Sequence, residues 1–363
     1  MGDRPSLLAA AEIPVPDSIR GDADRLMSYY TEWLPKLLRD GKFKGKRAVL
    51  GVPSTQTYIG HMQITEAPGV SRDDLVKGQL QTQMGVSPQG VVVRSIDVCP
   101  VNRSGQSSQE MICLAIKRET VMKYVELLRK CKLEVAGVHT EVLAMVGGFD
   151  HLNRRESDVN VTTLYIDLGW SGTRVAITHG KEIVFARFIP IGGKHFDQTI
   201  ASAVHCDVLT ARSHRLSIPS SLTHRNGAVT KTNAQASSRD AVNAGTTMSS
   251  AAMNGAGQDS KAVETAVKDD RRVGQVPAEL QHAVTPVETP NPAVSVDVSE
   301  LLDTITDELS MCMRYHQGLF KGRTVDRAIF VGGEARQSWL CQHAVRALRI
   351  PAQLGDPLAR LQA

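Results

Sequence analysis

The sequence from Leu164 to Gly193 holds the residues whose types and spacing best suit chemistry on a phosphate group. An apolar run ends at Asp167, and Gly169 and Thr173 follow it in a glycine-rich turn. Glycines in a turn between two strands let backbone N–H groups approach phosphate oxygens, and a hydroxyl adds a donor. A carboxylate at a strand end can hold Mg²⁺ through water and position an attacking water. The same residues also fit an ordinary hairpin in which Asp167 caps the turn.

Two glycine pairs each precede a predicted helix. Gly332 and Gly333 follow the apolar run "AIFV", and Gly192 and Gly193 follow "FIPI". The first pair would let the backbone lie against a purine or its ribose, with the N–H groups of the following helix facing an anion. A generic strand-to-helix turn is the better explanation of that pair taken singly. Only the ordered combination with the Asp167 hairpin favours a nucleotide site.

The composition argues against several classes of function. Lys and Arg total 42 against 38 for Asp and Glu, and no basic run is long enough to follow a phosphate backbone, so no nucleic-acid binding is expected. The six cysteines are dispersed without a CxxC pair, which is typical of reduced residues in a cytosolic protein. No apolar run approaches the roughly 20 residues of a membrane-spanning helix, so no direct membrane insertion is expected.

One segment, 217–294, differs sharply in composition from the rest of the chain. It is rich in Ala, Ser, Thr, Asn and Gly and has neither helical nor strand periodicity. Such a segment cannot bury enough apolar surface to offset the entropy lost on ordering. We therefore predict a long disordered insertion between two folded blocks, roughly 7–216 and 297–363.

The patterning of the folded blocks predicts alternating strands and helices. Residues 7–16 are predicted as an apolar strand, and "DADRLMSYYTEWLPKLLRD" places its apolar residues on one helical face. From 55 to 133 the order strand, helix, strand, strand, helix predicts a compact α+β module inserted into a larger α/β domain. The second block predicts a long helix, a strand that ends in Gly-Gly, another helix and a last strand.

These patterns, in this order, resemble one half of an actin-like nucleotide fold. The chain resembles the PilM family of type IV pilus assembly proteins, relatives of the division protein FtsA in the actin-like (ASKHA) superfamily. The matching stretches are "KRAVLGVPS", "CLAIKRETVMKYVELLRKCKLEVAGVHTEVLAM", "LYIDLGWSGTRVAITHGKEIVFARFIPIGGKHFDQTIA", "VDRAIFVGGEA" and "GDPLARL". The resemblance implies an α/β, actin-like two-domain fold with a small SHS2-like α+β subdomain inserted in the first domain.

The resemblance also implies domain boundaries. The implied pieces are 1–54 and 134–158 for an incomplete first domain, 55–133 for the inserted subdomain, 159–216 and 295–363 for the second domain, and 217–294 for the insertion.

By the same resemblance the chain carries a site for ATP and Mg²⁺. Asp167, Gly169 and Thr173 would form the second phosphate loop, with Asp167 as the acid that faces Mg²⁺ through water and acts in catalysis. The remaining implied nucleotide-binding residues are Gly192, Gly193, Arg215, Gly332 and Gly333. Arg215 stands where relatives carry a lysine, so it keeps the charge with a different hydrogen-bond geometry.

One departure from the family bears on catalysis. The superfamily opposes two phosphate hairpins, and the sequence reaches the predicted strand at 7–16 without a counterpart of the first one. Catalysis by positioning needs both sides of the phosphate clamp. We therefore expect impaired ATP binding and at most a weak ATPase activity, either because the start was assigned too far downstream or because hydrolysis has been lost.

The resemblance implies a function in assembly. The leading hypothesis is a cytosolic scaffold of a type IV pilus, or of a related secretion or DNA-uptake machine. It would bind the cytoplasmic tail of a PilN-like inner-membrane protein and contact other pilus assembly proteins, and its partners would recruit it to the membrane. The alternatives are a sugar or acid kinase of the same superfamily and an FtsA-like division protein. A kinase needs a catalytic base and a second phosphate loop, and an FtsA-like protein normally has an amphipathic C-terminal helix.

Overall fold

The computed structural model of the protein contains both parallel and antiparallel pairs of strands. The structure describes residues 6–85, 87–103, 106–153, 155–217, 224–225, 228–229 and 296–359. The strands are β1 (Arg47–Val52), β2 (Thr57–Ile64), β3 (Val91–Arg103), β4 (Gln106–Lys117), β5 (Glu134–Thr140), β6 (Thr162–Leu168), β7 (Thr173–His179), β8 (Glu182–Ile189), β9 (His224–Arg225), β10 (Ala228–Val229), β11 (Arg327–Val331) and β12 (Ala352–Leu354).

Helices cover or connect these strands. The α-helices are α1 (Asp17–Arg20), α2 (Ala23–Asp40), α3 (Arg72–Met84), α4 (Arg118–Lys130), α5 (Glu141–Gly148), α6 (Gly193–Val204), α7 (Val208–Ser217), α8 (Ser299–Leu319) and α9 (Ser338–Leu348). Short 3₁₀ turns lie at Ser54–Gln56, Pro88–Gly90, Asp150–Leu152, Glu156–Asn160 and Gly333–Arg336. No helix in the described part of the chain is long and apolar enough to cross a membrane.

A five-stranded sheet holds the main core, in the order β12-β11-β6-β7-β8. β12, β11 and β6 run parallel, and β6, β7 and β8 form antiparallel pairs. Leu164 and Ile166 face a core shared with α6, α8 and α9, whereas Tyr165 faces a second core shared with α5 and β4. Because helices or strands cover both faces, β6 is a nearly continuous apolar run rather than an alternating one.

The predicted α+β module is present. β2, β4 and β3 form an antiparallel sheet in that order, and α3 and α4 have the predicted places in the chain. Ser71 caps α3 by accepting a hydrogen bond from the N–H of Asp74 at 3.2 Å, and Gly85, with φ 63°, ends the helix. The core of the module joins Met62 and Val76 to residues of β4.

β1 and β5 form a separate two-stranded parallel sheet. The predicted helix before it is confirmed as α2, although none of its residues is fully buried. The prediction of a strand over 7–16 is wrong, because those residues form an irregular segment that leads into α1. Pro14 and Pro16 lack an N–H to donate to a neighbouring strand, and Leu8 is 84% exposed rather than packed.

The predicted disordered insertion, 217–294, lies outside the described residues except for Ser217, β9 and β10. The domain boundaries stay predictions. The described residues all belong to one unit, made of Met1–Lys231 and Ser295–Ala363.

Candidate functional site

The hairpin between β6 and β7 is anchored by its own backbone. The N–H of Gly169 donates to the carbonyl of Gly172 at 3.1 Å, and the N–H of Gly193 donates to the carbonyl of Gly169 at 3.1 Å. Thr173 is fully buried, and its hydroxyl donates to the carbonyl of Ile191 at 2.8 Å. Thus the hydroxyl predicted to reach a phosphate instead fastens the hairpin to the segment that starts α6.

The predicted glycines pack against this hairpin. β11 pairs with β6 so that Val331 lies beside Asp167, which places Gly332 next to the end of β6. Gly332 has φ +93°, and a side chain there would overlap the carboxylate of Asp167. A side chain at Gly192 would overlap the carbonyl of Gly169. The structure therefore brings these predicted residues together, and glycine is needed for the close packing of the chain with itself.

Gly333 differs from the other predicted glycines in how closely it is packed. A Cβ at Gly333 would meet no atom within 4 Å, so close packing does not require a glycine there. It begins the 3₁₀ turn Gly333–Arg336.

Arg215 lies in a buried ion cluster. Its Nε donates to Oδ1 of Asp197 at 2.6 Å, and its two Nη atoms donate to the carboxylate of Glu334, Nη2 at 3.2 Å. The side chain of Arg215 is 1% exposed, that of Asp197 0% and that of Glu334 7%. A side chain on Gly193 would overlap Glu334. Sequence reasoning identified Arg215 but missed both carboxylates, although Glu334 directly follows the second glycine pair.

A second ion cluster surrounds Asp167. Arg174, its cross-strand neighbour on β7, donates from Nη1 to Oδ2 of Asp167 at 3.0 Å and from Nε to Oε2 of Glu141 at 2.6 Å. The same Nε lies 3.2 Å from the hydroxyl of Ser54, whose N–H donates to Glu141 at 2.7 Å. Burial raises the pKa of Asp167 above its ordinary value; Arg174 opposes that shift and Glu141 adds to it. Sequence reasoning missed Arg174, Glu141 and Ser54.

The oxygens around Asp167 are of the kind that the Mg²⁺ implied by the fold family takes, but Arg174 already engages them. A protein site for that ion needs free carboxylate oxygens and open positions for water. Here Oδ2 of Asp167 and Oε2 of Glu141 already accept hydrogen bonds from the guanidinium of Arg174. Nor does Arg215 offer donors for a phosphate, since two carboxylates already engage its guanidinium.

A separate groove lies between α2 and the α+β module. Its volume is about 410 Å³. The lining residues are Ala23, Leu26, Met27, Thr55, Gln56, Thr57, Tyr58, Ala115, Lys117, Thr120, Lys123 and Tyr124. Nζ of Lys123 lies 3.4 Å from Asp24 and 3.1 Å from Glu119, so an ion pair links α4 to α2 beside the groove. The groove thus has both apolar and polar lining residues, and Asp24 and Glu119 balance the charge of Lys123 at its edge.

Comparison with known proteins gives structural matches but no sequence match. No family model and no curated protein matches the chain. A solved structure described as a PilM–PilN type IV pilus biogenesis complex matches with a TM-score of 0.66 at 14% identity, covering 99% of this chain and 84% of that one. The chain has a PilM-like fold. The predicted resemblance to PilM and the predicted α/β, actin-like fold class are thereby confirmed at the level of the fold.

Two weaker similarities accompany this PilM-like match. MreB5 of Spiroplasma citri bound to ADP matches with a TM-score of 0.44 at 13% identity, covering 95% of this chain and 74% of that one. The cytoplasmic domain of EpsL, from the type II secretion system of Vibrio cholerae, gives 0.29 at 13% identity, with 48% and 60% covered.

Proposed function

We propose that the protein is an actin-like scaffold of type IV pilus assembly, or of a related secretion or DNA-uptake machine. It works in the cytoplasm and is recruited to the inner membrane through partners. It captures the cytoplasmic tail of a PilN-like membrane protein, and it binds ATP weakly or not at all. Two findings support this proposal: the PilM-like fold, matched to a structure that contains PilN, and a groove suited to a peptide.

The groove between α2 and the module carries the proposal. Peptide capture needs a preformed surface with apolar pockets and a few polar groups that set direction. Leu26 and Met27 on α2, and Tyr124 on α4, supply apolar surface, while the backbone around Thr57 lies at the start of β2. None of these groups takes part in either ion cluster, so peptide binding here requires no nucleotide chemistry.

The charges beside the groove indicate which peptides suit it. Lys117 and Lys123 line the groove, and Lys123 is about half exposed. Asp24 and Glu119 already pair with Lys123, so a tail with apolar anchors and a polar flank suits the groove better than a strongly acidic one. Because surface ion pairs are weak, the apolar anchors supply most of the affinity.

Filling the groove tests the proposal. We expect a labelled PilN-like tail peptide to bind the purified protein in a fluorescence anisotropy titration. Thr120→Arg should weaken binding at least about tenfold, because the new side chain occupies the groove and a tenfold change is about 1.4 kcal/mol. Met122→Arg is the matched control: it adds the same side chain to α4 at a residue that is 42% exposed and outside the groove lining, and should leave affinity unchanged.

Two outcomes would contradict the proposal. One is the absence of binding by this chain and by a version extended with upstream coding sequence. The other is equal weakening by both arginine variants, which would place the peptide elsewhere on the protein.

A further inference from the structure

Arg174 joins three parts of the chain that are remote in sequence. Its guanidinium contacts Ser54, which starts the 3₁₀ turn after β1, Glu141, which starts α5, and Asp167 near the end of β6. Its side chain is 11% exposed and that of Asp167 is 18% exposed. Oxygens of two carboxylates and a hydroxyl therefore surround one positive charge that is largely shielded from water.

This arrangement has the form of a cation site. Carboxylate and hydroxyl oxygens that converge from separate elements are the ligands that a hard divalent ion takes. We infer that Arg174 stands in for such an ion, so that a guanidinium carried by the chain fixes Asp167, Glu141 and Ser54 in one arrangement. The inference goes beyond the proposed peptide capture and does not rest on it.

The glycines around the site support this inference. A Cβ on Gly169 would lie 2.8 Å from Nη1 of Arg174, closer than real Cβ contacts allow. A Cβ on Gly193 would overlap Glu334 and lie 3.0 Å from Nη2 of Arg215. Thus the space that these two glycines leave open is taken by charged side chains of the protein itself. A diphosphate placed against the same glycines would have to displace them.

The net charges of the two ion clusters support the same inference. Each cluster contains one guanidinium and two carboxylates, Asp167 and Glu141 around Arg174, and Asp197 and Glu334 around Arg215. Each guanidinium is satisfied internally, and the surplus charge of each cluster is negative. A polyphosphate beside the partly exposed cluster around Arg174 would be repelled by its net negative charge unless a cation intervened. The site is therefore a fixed structural joint that functions without a nucleotide or a divalent ion.

Thermal unfolding tests the inference in the unmodified protein first. Millimolar Mg²⁺, Mg²⁺ with ATP, or EDTA should each leave the Tm unchanged, since the joint needs none of them. A concentration-dependent rise in Tm with Mg²⁺ or with Mg²⁺ and ATP would overturn the inference, whatever happens in the peptide titration.

Removing the guanidinium should create a need for a divalent ion. Arg174→Ala leaves Asp167 and Glu141 facing each other, so the Tm in EDTA should fall by about 5–10 °C. Millimolar Mg²⁺ or Mn²⁺ should recover at least half of that loss. Arg187→Ala is the control, because its pair with Glu308 is 41% exposed at the arginine, and it should show a small loss with no response to the ions.

A more conservative variant and a refolding experiment cover the case in which Arg174→Ala does not fold. Arg174→Lys keeps one positive charge and should fall between the unmodified protein and Arg174→Ala in Tm, without a response to Mg²⁺. If Arg174→Ala does not fold in EDTA, refolding from urea with and without Mn²⁺ replaces the melting curve, and recovery only with Mn²⁺ supports the inference. Equal behaviour of Arg174→Ala with and without ions, in melting or refolding, would refute it.

Discussion

The two sheets with parallel strands differ in how completely they are covered. In the five-stranded sheet, β12 pairs with β11 and β11 pairs with β6. Other elements of the protein cover both faces of β6. In the two-stranded sheet, β5 pairs with β1, and β1 has no further strand beside it in the described ranges. Val49 on β1 is 63% exposed and Val138 on β5 is 39% exposed, whereas Leu164, Tyr165 and Ile166 on β6 are fully buried.

Parallel strands are normally buried on both faces. The difference in burial therefore indicates that the two sheets have different roles. The five-stranded sheet supplies the rigid core and, on β6 and β7, Asp167 and Arg174. The cluster around Arg215 lies on α6, α7 and the 3₁₀ turn after β11. The two-stranded sheet contributes Ser54 and Glu141 at its ends and otherwise presents exposed apolar surface. We expect changes of similar chemistry to have unequal effects on the free energy of unfolding in the two regions.

The largest effect is expected in the buried ion cluster of the five-stranded region. Arg215→Met leaves Asp197 and Glu334 buried without a cation, which should lower the free energy of unfolding by about 3–5 kcal/mol. Urea denaturation measures the loss. Arg212→Met is the control on the same helix: it is 33% exposed and 3.8 Å from Asp17, so its loss should stay within about 1 kcal/mol.

An intermediate effect is expected from one valine in each sheet. Val175→Ala, at a fully buried residue of β7, should cost about 2–3 kcal/mol because it leaves a cavity in the main core. Val49→Ala, on β1, should change the free energy of unfolding by less than about 0.5 kcal/mol, since its side chain is already exposed. A large loss at Val49 would mean that another part of the protein covers this strand in solution.

The last effect is expected from pH. His179 ends β7 and lies against His316 of α8, with their Nε2 atoms 2.8 Å apart. Burial, together with the nearby charge of Arg323, lowers the pKa of each to about 4. The unfolded chain binds protons near pH 6.5, so stability is full above that value and falls as pH drops toward 4, by at most about 1.4 kcal/mol per pH unit and histidine.

Urea denaturation between pH 7 and pH 5 measures that dependence. His316→Gln should make the dependence shallower, because one of the two buried rings no longer titrates. His139→Gln, at an exposed histidine on β5, should leave it unchanged. An unchanged dependence in His316→Gln would show that the pair does not govern acid stability.

Local patterns predicted much of the fold, and they failed where contacts are remote in sequence. The apolar run before Asp167 and the glycines after it define β6, the turn and β7 within one short segment. By contrast, Arg174 reaches Ser54 and Glu141 only because β1 and α5 fold against β7, and no spacing in the sequence records that contact. The wrong prediction of a strand over residues 7–16 has another cause. An apolar pattern does not by itself supply a partner strand to pair with.

The guanidinium of Arg174 is covalently attached to the chain, and this determines how the ion cluster around Asp167 responds to its surroundings. A diffusible ion leaves its site whenever its free concentration falls well below its dissociation constant. A cation bonded to β7 has a fixed effective concentration at Asp167, which dilution and competing chelators do not change. The joint is therefore insensitive to the free concentrations of divalent ions and nucleotides.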